Sequence, residues 1–166
     1  VAEPNPRGPW NAEKMWEPWH EGQPAHIVPP ILNIGAGPSG LTFYPGTGMS
    51  STYNDTFFLA DFRGDAGRSL IHAFQVQPKG AGFELVNRRD FANHMLVTDV
   101  EFGMEPGVYF SDWTQGWEQP MKGRLYRIYE PKLEGDGLHA EAVRLLGEGM
   151  AKRSEHELES LLGHAD

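Results

Sequence analysis

Three short segments between residues 39 and 74 read S-G-L-T-F-Y-P-G (39–46), F-F-L-A-D-F-R-G (57–64) and R-S-L-I-H-A-F (68–74). Three later segments follow in the same order and read T-D-V-E-F-G-M-E-P-G (98–107), V-Y-F-S-D-W-T-Q-G (108–116) and G-R-L-Y-R-I-Y (123–129). The matched positions are Phe43 with Phe102, Asp61 with Asp112, and Phe62 with Trp113. The chain therefore contains an internal repeat.

The length of this repeat predicts its architecture. Asp61 and Asp112 are 51 residues apart, and repeats of about 40–50 residues with three or four strands are typical of propeller blades. Propellers need about four blades or more to close a ring. We therefore predict a mainly β fold: a partial β-propeller of about two four-stranded blades over residues 39–132, these being the C-terminal blades of a longer protein of which this chain is a fragment.

The repeat also predicts individual strands. β-branched and aromatic residues alternate with turns rich in Gly, Pro, Asn and Asp. The predicted strands are Gly40–Tyr44, Thr56–Phe62, Ser69–Gln77, Phe83–Arg88, Leu96–Phe102, Val108–Trp113 and Arg124–Glu130.

Residues 1–38 differ from the repeat because proline recurs too often for helices. Three tryptophans, Trp10, Trp16 and Trp19, lie in this segment, whereas disordered arms are poor in aromatic residues. Two interpretations stay open. Either the segment lies over a folded body through its indoles, or it is a linker whose aromatic residues contact another part of the protein.

Residues 138–166 change to a helical pattern. Leu138, Ala142 and Leu145 share one helical spacing, and Ser154 with Glu157 predicts a capping box before a second helix. We interpret these two short helices as the start of a HEAT-like helical repeat array, with a lone helical cap packed against the sheet as the alternative. The E-G-D-G stretch ending at Gly137 is the predicted hinge.

Charge and composition exclude several classes of function. With 14 Lys+Arg against 23 Asp+Glu, the net charge of −9 argues against nucleic acid as a partner. The chain has no cysteine, so it offers no thiolate ligand and no covalent haem attachment motif. No apolar run reaches the about 20 residues of a membrane-spanning helix.

Several side chains are candidates for chemistry. Asp61 and Asp112 are metal ligands or catalytic carboxylates in one interpretation and structural acceptors of backbone N–H groups in the other, which their repetition favours. Arg63, close to Arg68, could hold an anionic ligand or form a salt bridge to Asp61 or Asp65. His72 lies in an apolar strand and is predicted to be a satisfied sheet residue.

The other histidines add little to this set. His94 lies close to a strand start, where propellers place functional loops. None of the seven histidines forms H-x-x-x-H or H-E-x-x-H, so we predict no structural zinc site and name no metal-ligating residue.

The segments at 37–48, 57–64, 98–103 and 108–113 resemble the soluble quinoprotein glucose/sorbosone dehydrogenase family. Within it the chain is most similar to large multidomain membrane-bound-dehydrogenase-like proteins of planctomycete and verrucomicrobial type. The resemblance covers residues 22–162 and implies a propeller, HEAT-like repeats and then a cytochrome c domain. It implies a bacterial, periplasmic or extracytoplasmic protein.

The resemblance also implies a function and two cofactor-binding residues. Arg63 stands where the family places a cation against pyrroloquinoline quinone, and Asp99 matches the family segment R-x-R-D-V. Both arginines of that segment are replaced here, by Leu96 and Thr98. The implied activity is oxidation of a sugar or polyol on the quinone, with calcium as a further candidate cofactor and a cytochrome domain as electron acceptor. No residue matches the family's catalytic base. The alternative is a non-enzymatic propeller scaffold that binds carbohydrate or protein.

Overall fold

A computed structural model describes residues 34–80, 82–118 and 121–166, together with His20, Ile31 and Leu32. The chain divides into two compact units. The first comprises Val1–Ile34 and Pro78–Glu84, where Lys79 Nζ lies 2.5 Å from Glu84 Oε2. The second comprises Gly35–Gln77 and Leu85–Asp166 and contains the internal repeat. Our predictions for Trp10, Trp16 and Trp19 lie outside the described residues.

The first sheet is antiparallel over the pairs β1–β2 and β2–β3, and has four strands in the order of the sequence. Its strands are β1 (Pro38–Phe43), β2 (Phe57–Asp61), β3 (Leu70–Lys79) and β4 (Gly82–Asn93). All four were predicted, but β4 continues five residues beyond the predicted end at Arg88. This extension matters because it places residues 88–93 beside β3.

The second sheet is antiparallel and has three strands, β5 (Val97–Phe102), β6 (Val108–Asp112) and β7 (Arg124–Ile128). The prediction of two four-stranded blades is therefore wrong for this sheet in the described part of the chain. After β7 the chain turns at a short 3-10 helix, Pro131–Leu133, and then enters a helix. Proline at the start of that turn has no N–H for a sheet ladder, so β7 is not followed by a returning strand.

Strand register confirms the internal repeat. Pro38 pairs with Asp61 and Val97 pairs with Asp112, at equivalent ends of the two sheets. Each of the two strand pairs has a register shift at the next position, between Pro38 and Gly40 and between Val97 and Asp99. The two copies in the sequence thus fold into two equivalent strand–strand–strand units, and β5 packs against β1 and β2.

A shared hydrophobic core lies between the two sheets. Phe58, Ile71, Val97 and Val108 are each fully buried in it. Phe58 also contacts Phe102 with a ring-centroid distance of 5.5 Å, which joins the two copies of the repeat. Burying such side chains stabilises the fold by about 1.5–3 kcal/mol each. The core therefore holds the strand ends near Asp61 and Asp112 in fixed positions.

Two helices follow the second sheet. Helix α1 (Gly137–Glu148) begins after the cap Asp136, and α2 (Glu155–Leu161) begins with the predicted Ser154–Glu157 capping box. The buried face of α1 includes His139, whose Nε2 lies 3.2 Å from the Met104 carbonyl. The prediction of two short helices is confirmed. In the described ranges, neither helix has the length and apolar character needed to cross a membrane.

Candidate functional site

A polar cleft of about 390 Å³ opens where β2 ends and where β3 and β4 lie side by side. The charged and titratable side chains of its lining are Arg63, Arg68, His72, Arg88, Asp90 and His94. Four of these, Arg63, Arg68, His72 and His94, were singled out from the sequence. The strand order of the sheet brings them together, because β4 returns along β3 to the level of Arg63.

Asp61 organises the floor of this cleft. Its side chain is fully buried, and Oδ1 accepts hydrogen bonds from the Ala36 and Gly37 amides at 3.0 and 2.9 Å. Oδ2 accepts from Arg63 Nε at 2.7 Å and lies 2.6 Å from Arg63 Nη2 and 3.2 Å from His72 Nε2. One carboxylate therefore orients both an arginine and a histidine toward the cleft.

Asp112 has the equivalent position but fewer partners. Its Oδ1 accepts from the Leu96 and Thr114 amides at 3.1 and 2.9 Å, and Arg124 Nη1 lies 3.6 Å from Oδ2. The prediction that both aspartates accept backbone N–H groups is confirmed. Only Asp61 also holds a histidine, so the structural role is repeated and the Arg63–His72 arrangement belongs to the first copy.

Only one of the two ring nitrogens of His72, Nε2, has a hydrogen-bond partner among the described residues. The residue is 1% exposed, and Nδ1 has no hydrogen-bond partner although it is buried. The nearest acidic atom is Asp90 Oδ1, at 3.8 Å, which is too long for a hydrogen bond. The prediction that His72 is a satisfied sheet residue is therefore wrong for Nδ1, because the strand supplies no donor on that side.

Burial lowers the pKa of the His72 imidazole below its usual value, and the charge of Arg88 lowers it further, while Asp61 and Asp90 oppose this shift. Burial alone would raise the pKa of the Asp61 carboxyl, but its hydrogen bonds from Gly37, Arg63 and His72 and the charge of Arg63 lower it. At neutral pH the site therefore contains ionised Asp61 and neutral His72. Since Asp61 only accepts, the His72 proton resides on Nε2 and the lone pair on Nδ1.

The cleft is lined by three arginines, Arg63, Arg68 and Arg88, and by the carboxylate of Asp90. Arg68 pairs with Asp65, which is not part of the lining, and both side chains are exposed. The predicted Arg63 salt bridge goes to Asp61. This lining suits a small anion better than a cation.

Asp99, the second predicted cofactor-binding residue, does not line this cleft. It lies next to Gly40 on the neighbouring strand, and its Oδ1 accepts from the Val100 amide at 2.9 Å. The structure therefore does not bring Arg63 and Asp99 into one cavity.

The side chains of Leu96 and Thr98 both have contacts within the protein. Leu96 is buried, and Thr98 Oγ1 lies 2.8 Å from Ser111 Oγ. Of the three positions where the resemblance places cations against the quinone, only Arg63 carries one. Because a tricarboxylate needs several charge-assisted contacts, these residues fit a ligand with one carboxylate better than they fit pyrroloquinoline quinone.

Two residues of the cleft were missed by sequence reasoning, Arg88 and Asp90. The signal that could have found them is the continued strand pattern through Phe91 and Ala92, both partly buried against the core. In the described ranges, no group of three His, Asp or Glu side chains is arranged to hold a metal ion.

Comparisons of this chain with protein-family models, with curated proteins and with solved structures give no match. The functional argument accordingly rests on the geometry of the cleft.

The first testable prediction concerns the pH dependence of stability. Because the His72 pKa is lowered in the folded state, the unfolded chain takes up the proton first as pH falls below about 6.5. Stability should therefore fall between about pH 7 and pH 5, by up to about 1.4 kcal/mol per pH unit from this one proton. Urea unfolding at several pH values measures the slope.

The variant His72→Gln should flatten this slope, since glutamine does not titrate, while the exposed His156→Gln should leave it unchanged. An equally steep decline in His72→Gln would assign the slope to other groups and contradict the prediction.

Proposed function

We propose that this chain is part of a β-propeller that binds a small carboxylic acid in the cleft between Arg63 and His94, and that the protein acts as a ligand-binding scaffold. The observation that carries the proposal is the Asp61–Arg63–His72 arrangement at an arginine-lined cleft. Such fixed donors are preorganised, so binding does not have to order them.

The propeller interpretation is supported by the matched register of the two sheets. Adjacent blades of a propeller pack against each other around a central axis, and contacts of β5 with β1 and β2 are consistent with such a pair of blades. On this proposal the two sheets are neighbouring blades and α1 and α2 begin the HEAT-like array.

Arg63 is the residue that we assign to the ligand carboxylate. Asp61 engages Nε and Nη2 of its guanidinium, and arginine has five N–H donors in a planar fork. Within the described ranges no hydrogen bond is formed by Nη1, and the side chain is 33% exposed. The outer edge of the fork can therefore meet a carboxylate with two parallel hydrogen bonds.

The proposal is tested by titrating the full chain with cyclohexanecarboxylate and following the histidine and arginine side-chain resonances by NMR. We expect saturable shifts at Arg63, His72 and His94. Arg63→Gln should weaken binding by about tenfold or more, since hydrogen bonds to charged groups contribute about 1.5–3 kcal/mol. Glutamine keeps one donor toward Asp61 and removes the charge.

The matched control is Arg144→Gln, which removes a surface arginine that pairs with Glu148 on α1. It should leave the dissociation constant unchanged. Shifts that do not saturate, or an equal loss of affinity in Arg144→Gln, would contradict the proposal.

A second candidate function is the quinone-dependent oxidation of a sugar or polyol, with electrons passing to a cytochrome domain. The observation that favours it is the location of Arg63 in the cleft, at the position where the resemblance implies a contact to pyrroloquinoline quinone. Calorimetric titration with the quinone and calcium separates the two functions. Micromolar binding that is lost in Arg63→Gln would favour the dehydrogenase, and absence of binding at millimolar quinone would leave the scaffold.

A further inference from the structure

We propose that the ligand of this cleft is a sugar acid, a carboxylic acid that also carries adjacent hydroxyl groups. This inference rests on the proposed function and adds the chemical class of the ligand. It is carried by the buried His72 Nδ1, which has no hydrogen-bond partner. A ligand that only supplies a carboxylate to Arg63 would leave this atom unsatisfied.

The unsatisfied atom is a hydrogen-bond acceptor. The proton of neutral His72 resides on Nε2, which faces the ionised Asp61 at 3.2 Å, so Nδ1 presents a lone pair. A buried acceptor without a donor destabilises the protein, because it has given up its hydrogen bonds to water. A ligand donor that reaches Nδ1 recovers this free energy on binding.

A second acceptor lies close to the first. Asp90 Oδ1 is 3.8 Å from His72 Nδ1, and its side chain is 61% exposed, so it can adjust its position. Two acceptors at this separation call for two donors on one ligand. Adjacent hydroxyls of a sugar supply both, since each hydroxyl donates one hydrogen.

An ammonium group would also donate to these acceptors. Arg88 and Asp90 line the same cleft, and their charges act on the His72 imidazole in opposite directions. Neutral hydroxyls supply two donors without placing a further charge between these two groups, and L-alanine as a probe tests the ammonium alternative.

The remaining geometry fits a monosaccharide acid. A volume of about 390 Å³ lies within the range of about 300–1,000 Å³ for small-molecule sites. Arg63 on one side and His72 with Asp90 on the other receive the two chemically different ends of the ligand, and Asp61 fixes both Arg63 and His72.

Calorimetry on the full chain with four probes tests this inference. L-alanine carries a carboxylate and an ammonium group. D-glucuronate carries the carboxylate and the hydroxyls, cyclohexanecarboxylate carries only the carboxylate, and D-glucose carries only the hydroxyls. We expect D-glucuronate to bind at least tenfold more tightly than cyclohexanecarboxylate, and D-glucose to bind most weakly.

Two variants locate the effect. His72→Gln keeps an N–H donor toward Asp61 and removes the Nδ1 acceptor, so the ratio of the D-glucuronate affinity to the cyclohexanecarboxylate affinity should fall to about threefold or less. Asp90→Ala changes an exposed side chain, which makes loss of folding a minor concern, and should also lower this ratio.

The possible results separate this inference from the proposed function. Equal binding of D-glucuronate and cyclohexanecarboxylate, or tighter binding of L-alanine than of D-glucuronate, would overturn the sugar-acid assignment and leave the carboxylate site. Binding of neither acid would overturn the proposed function. Equal binding of D-glucose and D-glucuronate, unaffected by Arg63→Gln, would overturn both.

Discussion

Replacing Asp61 with asparagine should lower the free energy of unfolding by about 2–4 kcal/mol, because the buried carboxylate loses its charge-assisted hydrogen bonds from Arg63 and His72. The side chain is fully buried and accepts from two amides, Arg63 and His72. Asparagine can still accept from the Ala36 and Gly37 amides through Oδ1. Its NH2 group, however, would then face the N–H groups of Arg63 and His72, donor against donor.

The repeat supplies a matched control in Asp112→Asn. Asparagine there keeps an acceptor for the Leu96 and Thr114 amides, and the replaced oxygen faces only Arg124, at 3.6 Å and with a half-exposed side chain. The expected loss is about 1 kcal/mol or less, since exposed ion pairs contribute little.

Urea unfolding of the two variants at pH 7 measures the difference between them. Equal losses would mean that the backbone hydrogen bonds, which both copies share, carry the whole effect, and the Asp61–Arg63–His72 arrangement would then have no special weight. Asp61→Asn should also weaken carboxylate binding, because Arg63 and His72 lose the group that orients them.

The fold was predictable where local pattern alone determines it. Period-two alternation and turn residues located all seven described strands, and the Ser154–Glu157 capping box located the start of α2. The end of β4 was not predictable, because residues 89–93 include charged side chains that are unusual in a strand. They belong to β4 because this segment pairs with β3. Pairing between strands is a tertiary property that a local pattern does not contain.

The candidate site was predictable only in part. Arg63 stood out because arginine can form bidentate contacts with carboxylates, and its salt bridge to Asp61 is one of the two that the sequence predicted. Arg88 and Asp90 belong to the cleft through the β3–β4 hairpin. The state of His72 Nδ1 depends on which donors surround it in three dimensions, and no motif in the sequence encodes the absence of a donor.

Replacing Gly37 with alanine should lower the free energy of unfolding by about 2–4 kcal/mol, which is the loss of one charge-assisted and one backbone hydrogen bond. A Cβ atom at Gly37 would lie 1.8 Å from the Phe62 carbonyl oxygen. No side-chain rotation relieves this contact, so the backbone has to move. That movement breaks the Phe62 N–H bond to the Gly37 carbonyl (2.7 Å) and the Gly37 N–H bond to Asp61 (2.9 Å).

The second copy of the repeat explains why glycine is needed here. Leu96 occupies the equivalent position, and its carbonyl accepts from Trp113 N–H at 2.9 Å. From the segment before β5, Asp112 accepts a hydrogen bond from the Leu96 amide. From the segment before β1, Asp61 accepts hydrogen bonds from two amides, those of Ala36 and Gly37. The chain before β1 therefore lies closer to the end of β2, and this close approach leaves no room for a Cβ atom.

A glycine-to-alanine substitution at a position with free space should raise the free energy of unfolding instead of lowering it. Gly147 lies inside α1, and a Cβ atom added there would meet no other group within 4 Å, so Gly147→Ala should raise stability by up to about 1 kcal/mol through helix propensity. Urea unfolding of both variants gives the comparison, and D-glucuronate titration of Gly37→Ala gives a second readout. If Gly37→Ala is as stable as the parent chain and binds equally well, then the close approach at Phe62 does not hold Asp61 in place, and the cleft depends on β3 and β4 alone.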